Sequence, residues 1–310
     1  MGEGEGAVYR GSNPVIAPCP RCGQRSSLQF RAADRNRRTS GEAFDYYRCS
    51  ACGIVFLSPL PADLSKYYPQ DYYGIPPSLK ALPEAAAPER YKIDIVRRFA
   101  ASGRLLEIGP AYGSFAYLAK EAGFAVDTIE MDEACCRFMT QMGIHAIHHA
   151  DTNAALRASG PYDVIALWHV IEHLPDPWST LQVIVERLKP GGLIVIAAPN
   201  PLAFQFRLLG RLWTHLDAPR HVELIPSSLL SRHLQQLGVA PLAITTNDPG
   251  GLGWNVFGWE MSFASFSANP AIRLGLRLAG RLASLLAAPL DRIEGNGSAY
   301  TALFRKGPSA

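Results

Sequence analysis

The sequence predicts a doubly wound α/β protein with a mostly parallel sheet and a small zinc-binding module at its N-terminal end. Three observations carry this. From about residue 90 onward, apolar strands alternate with amphipathic helices, the pattern of a parallel sheet covered on both faces. The first of those strands runs into a glycine-bearing turn, LLEIGPAYGSF at 105–115, as at the ligand-binding end of such a sheet. Upstream stand two CxxC pairs, spaced like metal knuckles.

Composition bounds the function. The chain has 310 residues, enough for one sizeable domain and a smaller one. Apolar residues make up 48% and charged residues 18%, far from the signature of disorder. A net charge of +3, without a concentrated basic run, argues against nucleic acid as a partner. The opening MGEGEGAVYRGSNP lacks the basic start and apolar stretch of a signal peptide, and no uncharged apolar run of about 18 residues follows. A cytoplasmic protein is expected. In that reducing compartment the six cysteines read as metal ligands or buried thiols rather than disulfides.

In chain order, residues 1–14 read as a flexible leader and 15–57 as a zinc-ribbon module. Cys19 and Cys22 (CPRCG) are separated from Cys49 and Cys52 (CSACG) by 26 residues. Four thiolates complete a tetrahedron and leave no open position, so the Zn2+ expected there is structural, stapling a module with little core of its own. The interval QFRAADRNRRTSGEAFDYYR reads as two short strands around a polar turn. Cys135 and Cys136, neighbours on a predicted helix, point apart and read as core thiols. The linker 58–89 is rich in Pro and Tyr and too broken for a long helix. Its Tyr67, Tyr68, Tyr72 and Tyr73 either cover a site, with Tyr72 and Tyr73 touching substrate, or glue the module to the main domain.

Residues 90–310 form that domain. A helix at RYKIDIVRRFA leads to a strand at RLLEIG, a helix at SFAYLAKEAG, a strand at FAVDTIEM and a helix at DEACCRFMTQMG. A short strand at HAIHH, a strand at YDVIALW, a helix at PWSTLQVIVERLK and a strand at GLIVIAAP follow. After PSSLLSRHLQQLG comes VAPLAITTND, and SAYTALFRK closes the chain with an alternation that suits an edge strand.

The turn after the first strand has Gly109 and Gly113, with Ala111 between them. A dinucleotide fingerprint needs a third glycine at position 114, where Ser114 stands, so a pyrophosphate site and nicotinamide-dependent reduction are disfavoured. Glu107 ends that strand, where a carboxylate repels phosphate but can receive an ammonium group. Glu130 ends the second strand, 21 residues after Gly109, where it can accept two hydrogen bonds from a ribose diol. Asp151 is placed for an adenine amino group. Ribose, adenine and ammonium without phosphate describe S-adenosylmethionine.

Residues 90–305 resemble a class I S-adenosylmethionine-dependent methyltransferase through LLEIGPAYGSF, IEMD, HHAD, YDVIALWHVIEHLPDP and LKPGGLIVIAAPN. The resemblance implies a Rossmann-like sheet of seven strands with the last antiparallel. It also implies a cofactor site built from Glu107, Gly109, Ala111, Gly113, Glu130, Met131, Asp151 and Trp168, with Trp168 packed on the adenine. Ala111 stands where the family usually has glycine. The front, CPRCG…YRCSACGIVFLSPLP…YYPQDYYG, joined to such a domain resembles bacterial methyltransferases of sugar, polysaccharide and secondary-metabolite pathways. That implies O- or C-methylation of a small hydroxylated or glycosylated metabolite.

A hydroxyl or carbon nucleophile wants a base, and histidine serves near neutral pH. His169 and His173 are four apart just beyond the fourth strand. His215 and His221 lie in WTHLDAPRHVEL, within an insert at about 200–230 where the family builds its substrate cover. PRHVELIPSSL resembles a recurring family segment, so His221 is the preferred base, His169 and His173 are alternatives, and His215 is a substrate contact. No carboxylate cluster for a metal-dependent O-methyltransferase is evident at this face. The stretch 270–290 has leucines at helical spacing and Arg273, Arg277 and Arg281 in one row. It is either a lipid-surface or lipid-carrier contact or, as preferred, a lid helix with buried leucines. The competing reading of the whole chain is a zinc interaction module with a cofactor-binding domain that no longer catalyses, Ala111 being its first symptom.

Overall fold

The computed structural model describes residues 16–69 and 72–308; the leader expected at 1–14 lies outside them. The N-terminal strands β1 (Ile16–Pro18), β2 (Arg25–Ala33), β3 (Ala43–Arg48) and β4 (Val55–Leu57) pair antiparallel in chain order. The strand–turn–strand reading of the interval between the cysteine pairs corresponds to β2 and β3. Tyr47 and Phe56 stack across β3 and β4 with ring centres 5.8 Å apart. A fifth strand, Glu223–Leu224, joins β4 from far along the chain, so this small sheet is completed by the main domain.

After a short helix, α1 (Leu82–Ala86), come α2 (Arg90–Arg97), β5 (Arg104–Ile108), α3 (Ser114–Glu121), β6 (Ala125–Glu130), α4 (Glu133–Gln141), β7 (His145–His148), α5 (Thr152–Arg157) and β8 (Tyr162–Trp168). Then follow α6 (Pro177–Arg187), β9 (Leu188–Pro199), α7 (Phe204–Leu209), β10 (Glu223–Leu224), α8 (Ser227–Gln236), β11 (Val239–Thr245), α9 (Pro249–Ala264), α10 (Pro270–Asp291) and β12 (Ala299–Lys306). The large sheet runs β11-β12-β9-β8-β5-β6-β7. The five strands from β9 to β7 are parallel, and β12 is antiparallel to both neighbours. This is the doubly wound, mostly parallel, seven-stranded sheet.

β5 and β8 sit at its centre, and their apolar side chains are buried on both faces. Helices start where strands end because an aspartate accepts the first orphan N–H groups: Asp132 caps α4, Asp151 caps α5 and Asp176 caps α6. The strand order reverses between β5 and β8, which opens a cleft at their C-terminal ends.

Two expectations are corrected. The closing strand is interior rather than an edge: β12 lies between β11 and β9 and its first six residues are buried. Its apparent alternation reflects small Ala and Thr residues among large ones, with both faces covered. The edge is β11, half exposed and carrying Pro241, which an outer strand tolerates. The expected burial of the leucines on the C-terminal helix is overturned as well. α10 packs on α9 through Gly280, Ser284, Ala287 and Asp291, while its leucines face outward. The small residues allow close approach, since a Cβ on Gly280 would meet the Trp259 carbonyl oxygen at 2.6 Å. Among the described residues no helix is long and apolar enough to cross a membrane.

Candidate active site

A cleft of about 590 Å³ opens at the C-terminal ends of β5, β6 and β8. Gly109 turns its rim with φ +65°, and a Cβ there would strike Val170 at 2.7 Å; only glycine fits. Ala111 follows in the left-handed region at φ +52°. Its N–H donates to Glu130 Oε2 at 3.1 Å, while Oε1 accepts from the N–H groups of Met131 and Asp132 at 2.8 and 2.9 Å. Burial pushes the Glu130 carboxyl up, against the pull of those three donors. The acid is thus held in one orientation at the cleft wall.

The expected cofactor residues divide. Gly109, Ala111, Glu130, Met131, Asp151 and Trp168 line the cleft, whereas Glu107 and Gly113 do not. Glu107 lies buried beneath the loop with Oε2 unpartnered, and burial pushes its carboxyl up to about 8. Gly113, at φ +86°, packs over Met139 and starts α3. Trp168 is braced edge-on by Phe115, its ring centre 5.4 Å away, and its Nε1 has no partner. An orphaned indole N–H and an oriented carboxylate on the wall of one cleft are what a ligand with hydroxyl and aromatic parts would satisfy.

The histidines converge on Glu172, a residue the sequence reading passed over. It is 1% exposed and neither oxygen has a hydrogen bond. His169 Nδ1 is 3.7 Å and His221 Nε2 3.9 Å from its Oε1. His173 Nδ1 lies 3.1 Å from the Arg220 carbonyl oxygen and 2.9 Å from the Tyr68 hydroxyl. A carbonyl only accepts, so Nδ1 carries the proton and Nε2 is the basic nitrogen of His173. The same logic applies to His221, whose Nδ1 is 2.8 Å from the His215 carbonyl oxygen.

Burial pushes Glu172 up and pulls the imidazoles down, His169 to about 3 and His173 to about 4. The rings are therefore neutral at ordinary pH, and the same burial makes them weaker proton acceptors unless a nearby charge offsets it. Glu172, His173 and His221 place donor atoms within 4.8 Å of one another, so a carboxylate and two histidines meet at the face where the sequence showed no carboxylate cluster.

His169 and His173 line the cleft, but His221 and His215 lie beneath it. His215 is 7% exposed, its Nε2 3.0 Å from the Trp254 carbonyl oxygen. The preferred base of the sequence reading is thus one layer behind the two alternatives. Arg220 is the reason. Its fully buried guanidinium draws the PRHVEL turn inward, donating to Asp34 at 2.8 and 3.1 Å, to Asp217 at 2.8 Å twice, and to the Tyr67 carbonyl oxygen at 2.9 Å.

The linker tyrosines take both expected places. Tyr68, Tyr72 and Tyr73 line the cleft, while Tyr67 packs edge-on against Phe44 at 5.4 Å. Glu172 could have been suspected from EHLPDP, because it sits one residue from His173 in the same 3-10 turn. Nothing in the sequence pointed to Asp34 and Asp217 closing on Arg220.

Cys19, Cys22, Cys49 and Cys52 bring their Sγ atoms within 4.8 Å of one another. Cys19–Cys52 and Cys22–Cys49 are 3.6 Å apart, and Gly23 and Gly53 close the two turns by donating to the Cys19 and Cys49 carbonyls at 2.9 Å. Burial opposes ionisation of Cys49, but the N–H groups of Cys52 and Ala51 outweigh it and draw the thiol down to about 6. Four soft donors around one point, with backbone N–H groups aimed at sulfur, suit a tetrahedral ion.

A family model described as a methyltransferase domain matches residues 84–244, just over half of the chain. The ubiquinone biosynthesis O-methyltransferase of Bordetella avium is 25% identical over 150 residues, covering 44% of this chain and 62% of that protein. Its counterpart in Caulobacter vibrioides is 32% identical over 102 residues, covering 31% and 40%. The chain thus spans less than two thirds of the length of these relatives. A candidate sarcosine dimethylglycine methyltransferase from Galdieria sulphuraria shares the fold with a TM-score of 0.50 at 15% identity, covering 72% of this chain and 86% of that one. The match runs from α1 to β11 and takes in the cleft residues from Gly109 to Thr180, and with it the chain belongs to the methyltransferase-domain family.

Proposed function

We propose that this protein transfers a methyl group from S-adenosylmethionine to a small hydroxylated or glycosylated metabolite, with a structural Zn2+ in the module at 15–57. The observation that carries the reading is Glu130, fixed by three backbone N–H groups at the cleft wall beside a loop that lacks the third glycine of a pyrophosphate site. A carboxylate has about four acceptor positions, so with three taken it can still receive one ribose hydroxyl. Oxygen as the acceptor atom is supported by the relatives, which are named O-methyltransferases.

The cofactor, when bound, supplies an already activated methyl group. The chain must then orient, dehydrate and deprotonate. Glu130 and the 109–111 loop hold the ribose side, Asp151 and Trp168 flank the adenine side, and Tyr68, Tyr72 and Tyr73 close over the acceptor. Orientation of this kind contributes on the order of 7–11 kcal/mol. His173 is the best-placed base: it lines the cleft, and Arg220 and Tyr68 hold its Nδ1 side. The acceptor proton passes to Nε2 as the methyl moves. His169 is the second histidine at the cleft, and His221 with Glu172 positions the pair from below. The four cysteines hold the zinc and leave it no open site.

Calorimetry tests this. The protein should bind S-adenosylmethionine and its demethylated product, and Glu130→Ala should weaken both by about 10-fold or more, the value of one hydrogen bond to a charged group. His173→Ala should lower turnover at least ~100-fold with cofactor affinity kept. Absence of heat with either ligand would overturn the reading in favour of a domain that no longer catalyses.

A further inference from the structure

The outward face of α10 is the largest feature that methyl transfer does not use. Ile272, Leu274, Leu278, Leu282, Leu285 and Leu286 are 54–75% exposed along a 22-residue helix, about 33 Å long. Leu290 and Ile293 continue the face past its end. Together they expose several hundred Å², at or above the largest patch an ordinary monomer shows. Among the described residues nothing covers it, and residues 1–15 hold only Met1, Val8, Tyr9 and Val15 as large apolar side chains.

We infer that α10 seats the protein on an anionic lipid surface. The charge pattern selects that occupant. Arg273, Arg277 and Arg281 each stand one residue before Leu274, Leu278 and Leu282, so a basic row flanks the apolar face. Residues 270–290 contain no acidic side chain. Arg277 and Arg281 share a single carboxylate, Glu260, at 3.3 and 3.4 Å, which leaves net positive charge. Arg35 and Arg38 add to it at the α9 end, donating to the Ser265 carbonyl oxygen at 3.2 and 3.1 Å. A second copy would offer the arginine row no exposed acid on its own helix, where Asp291 is buried against Trp259, whereas phosphate head groups match it and let the leucines sink to the acyl boundary, about 5–10 Å deep. α10 rests on α9, whose Trp254 packs on His169 with ring centres 4.6 Å apart, so a lipid-seated helix sets the cleft close to the membrane plane.

The test is flotation of the full chain with phosphatidylcholine vesicles, with and without about one-third phosphatidylglycerol, at about 0.1 and 1 M salt. The protein should float with the anionic vesicles at low salt and at least ~10-fold less with neutral ones or at high salt. Leu278→Ser/Leu282→Ser/Leu286→Ser should lower binding ~100-fold while the melting temperature holds, because these side chains touch solvent. No flotation on anionic vesicles, or flotation that the triple variant retains, overturns the inference. So does a wild-type dimer in light scattering that the triple variant dissolves while neither protein floats, which would assign the face to a second copy. Flotation needs no methyl transfer, so the result stands apart from the proposed activity.

Discussion

Arg220→Met should destabilise the protein by about 3 kcal/mol, through charge rather than volume. Arg220 is fully buried between Asp34 and Asp217 and makes five hydrogen bonds. Removing one partner of a buried ion cluster costs about 3–5 kcal/mol, because the remaining charges stay desolvated. The low end applies because Asp34 keeps three donors: the Arg37 N–H at 3.0 Å, the Thr39 N–H at 2.9 Å and the Thr39 hydroxyl at 2.6 Å. Asp217 retains only Asn36 among side-chain donors and becomes the costly orphan. At roughly 2–4 °C per kcal/mol for a chain of this size, the melting temperature should fall by roughly 6–12 °C.

Adding Asp217→Asn to the variant should recover more than half of that loss by removing the orphaned charge. The pH dependence gives a second sign. Burial pushes both carboxyls up, but Arg220 more than reverses it, so both pKa values are depressed in the folded state. Their stabilisation is present above the unfolded carboxylate value of about 3.9 and is lost only as acid drives pH through the folded values. Arg220→Met should therefore resemble the wild type more closely in acid than at neutral pH. Thermal melts of the three proteins decide. A fall of under ~2 °C, or a double variant as unstable as the single, would show that the cluster acts by packing and that the charge argument is wrong.

Three further expectations follow. Ala111→Gly should raise stability by about 1 kcal/mol, because a left-handed residue with a side chain costs about 1–2 kcal/mol, and should tighten S-adenosylmethionine binding by removing a methyl from the cleft wall; unchanged affinity in calorimetry would count against Ala111 as a steric constraint. Cys22→Ser should reduce bound zinc, read by atomic absorption, from one ion per chain to nearly none and lower the melting temperature; a wild-type protein without zinc would end the structural-metal reading. Burial pushes the Glu223 carboxyl up to about 8, against the Trp178 N–H that it accepts, so its neutral form contributes stability that is lost as pH rises through that value. Glu223→Gln should flatten the fall in melting temperature as pH rises between about 4.3 and 8; an unchanged slope would assign that fall to other groups, Glu107 first among them.

The parallel core was legible because a strand buried on both faces must be apolar along its length, and RLLEIG, YDVIALW and GLIVIAAP are. Glu130 was legible because strand length fixes its distance from Gly109. β12 was misplaced because alternation of size looks like alternation of polarity when the small residues are Ala and Thr. α9 was missed because PGGLGWNVFGWEMSFA carries four glycines, each unfavourable in an isolated helix; Asp248 caps it, and packing against α10 and β12 holds it. For α10 the period was plain but the side was not. Leucines and small residues both repeat at helical spacing, and only the depth of the α9 groove decides that Gly280, Ser284 and Ala287 turn inward.

Arg220 was invisible for a different reason: its meaning is set by residues far away in the chain. Arg220 joins Asp34, on the β2–β3 connection of the cysteine module, to the carbonyl of Tyr67 in the linker. The next residue, Tyr68, meets His173 at 2.9 Å, and the Arg220 carbonyl oxygen accepts from His173 Nδ1 at 3.1 Å. A single buried guanidinium therefore fixes the segment that sets which nitrogen of the cleft histidine is basic. The small N-terminal sheet, completed by β10 just after His221, holds that segment from its other end. A metal far from the cleft would then matter to the chemistry by holding the module rigid enough for Asp34 to keep Arg220 in place. The separation of cysteine module and cleft seen in the linear sequence is lost once the chain folds, because His173, the proposed base, is oriented through both.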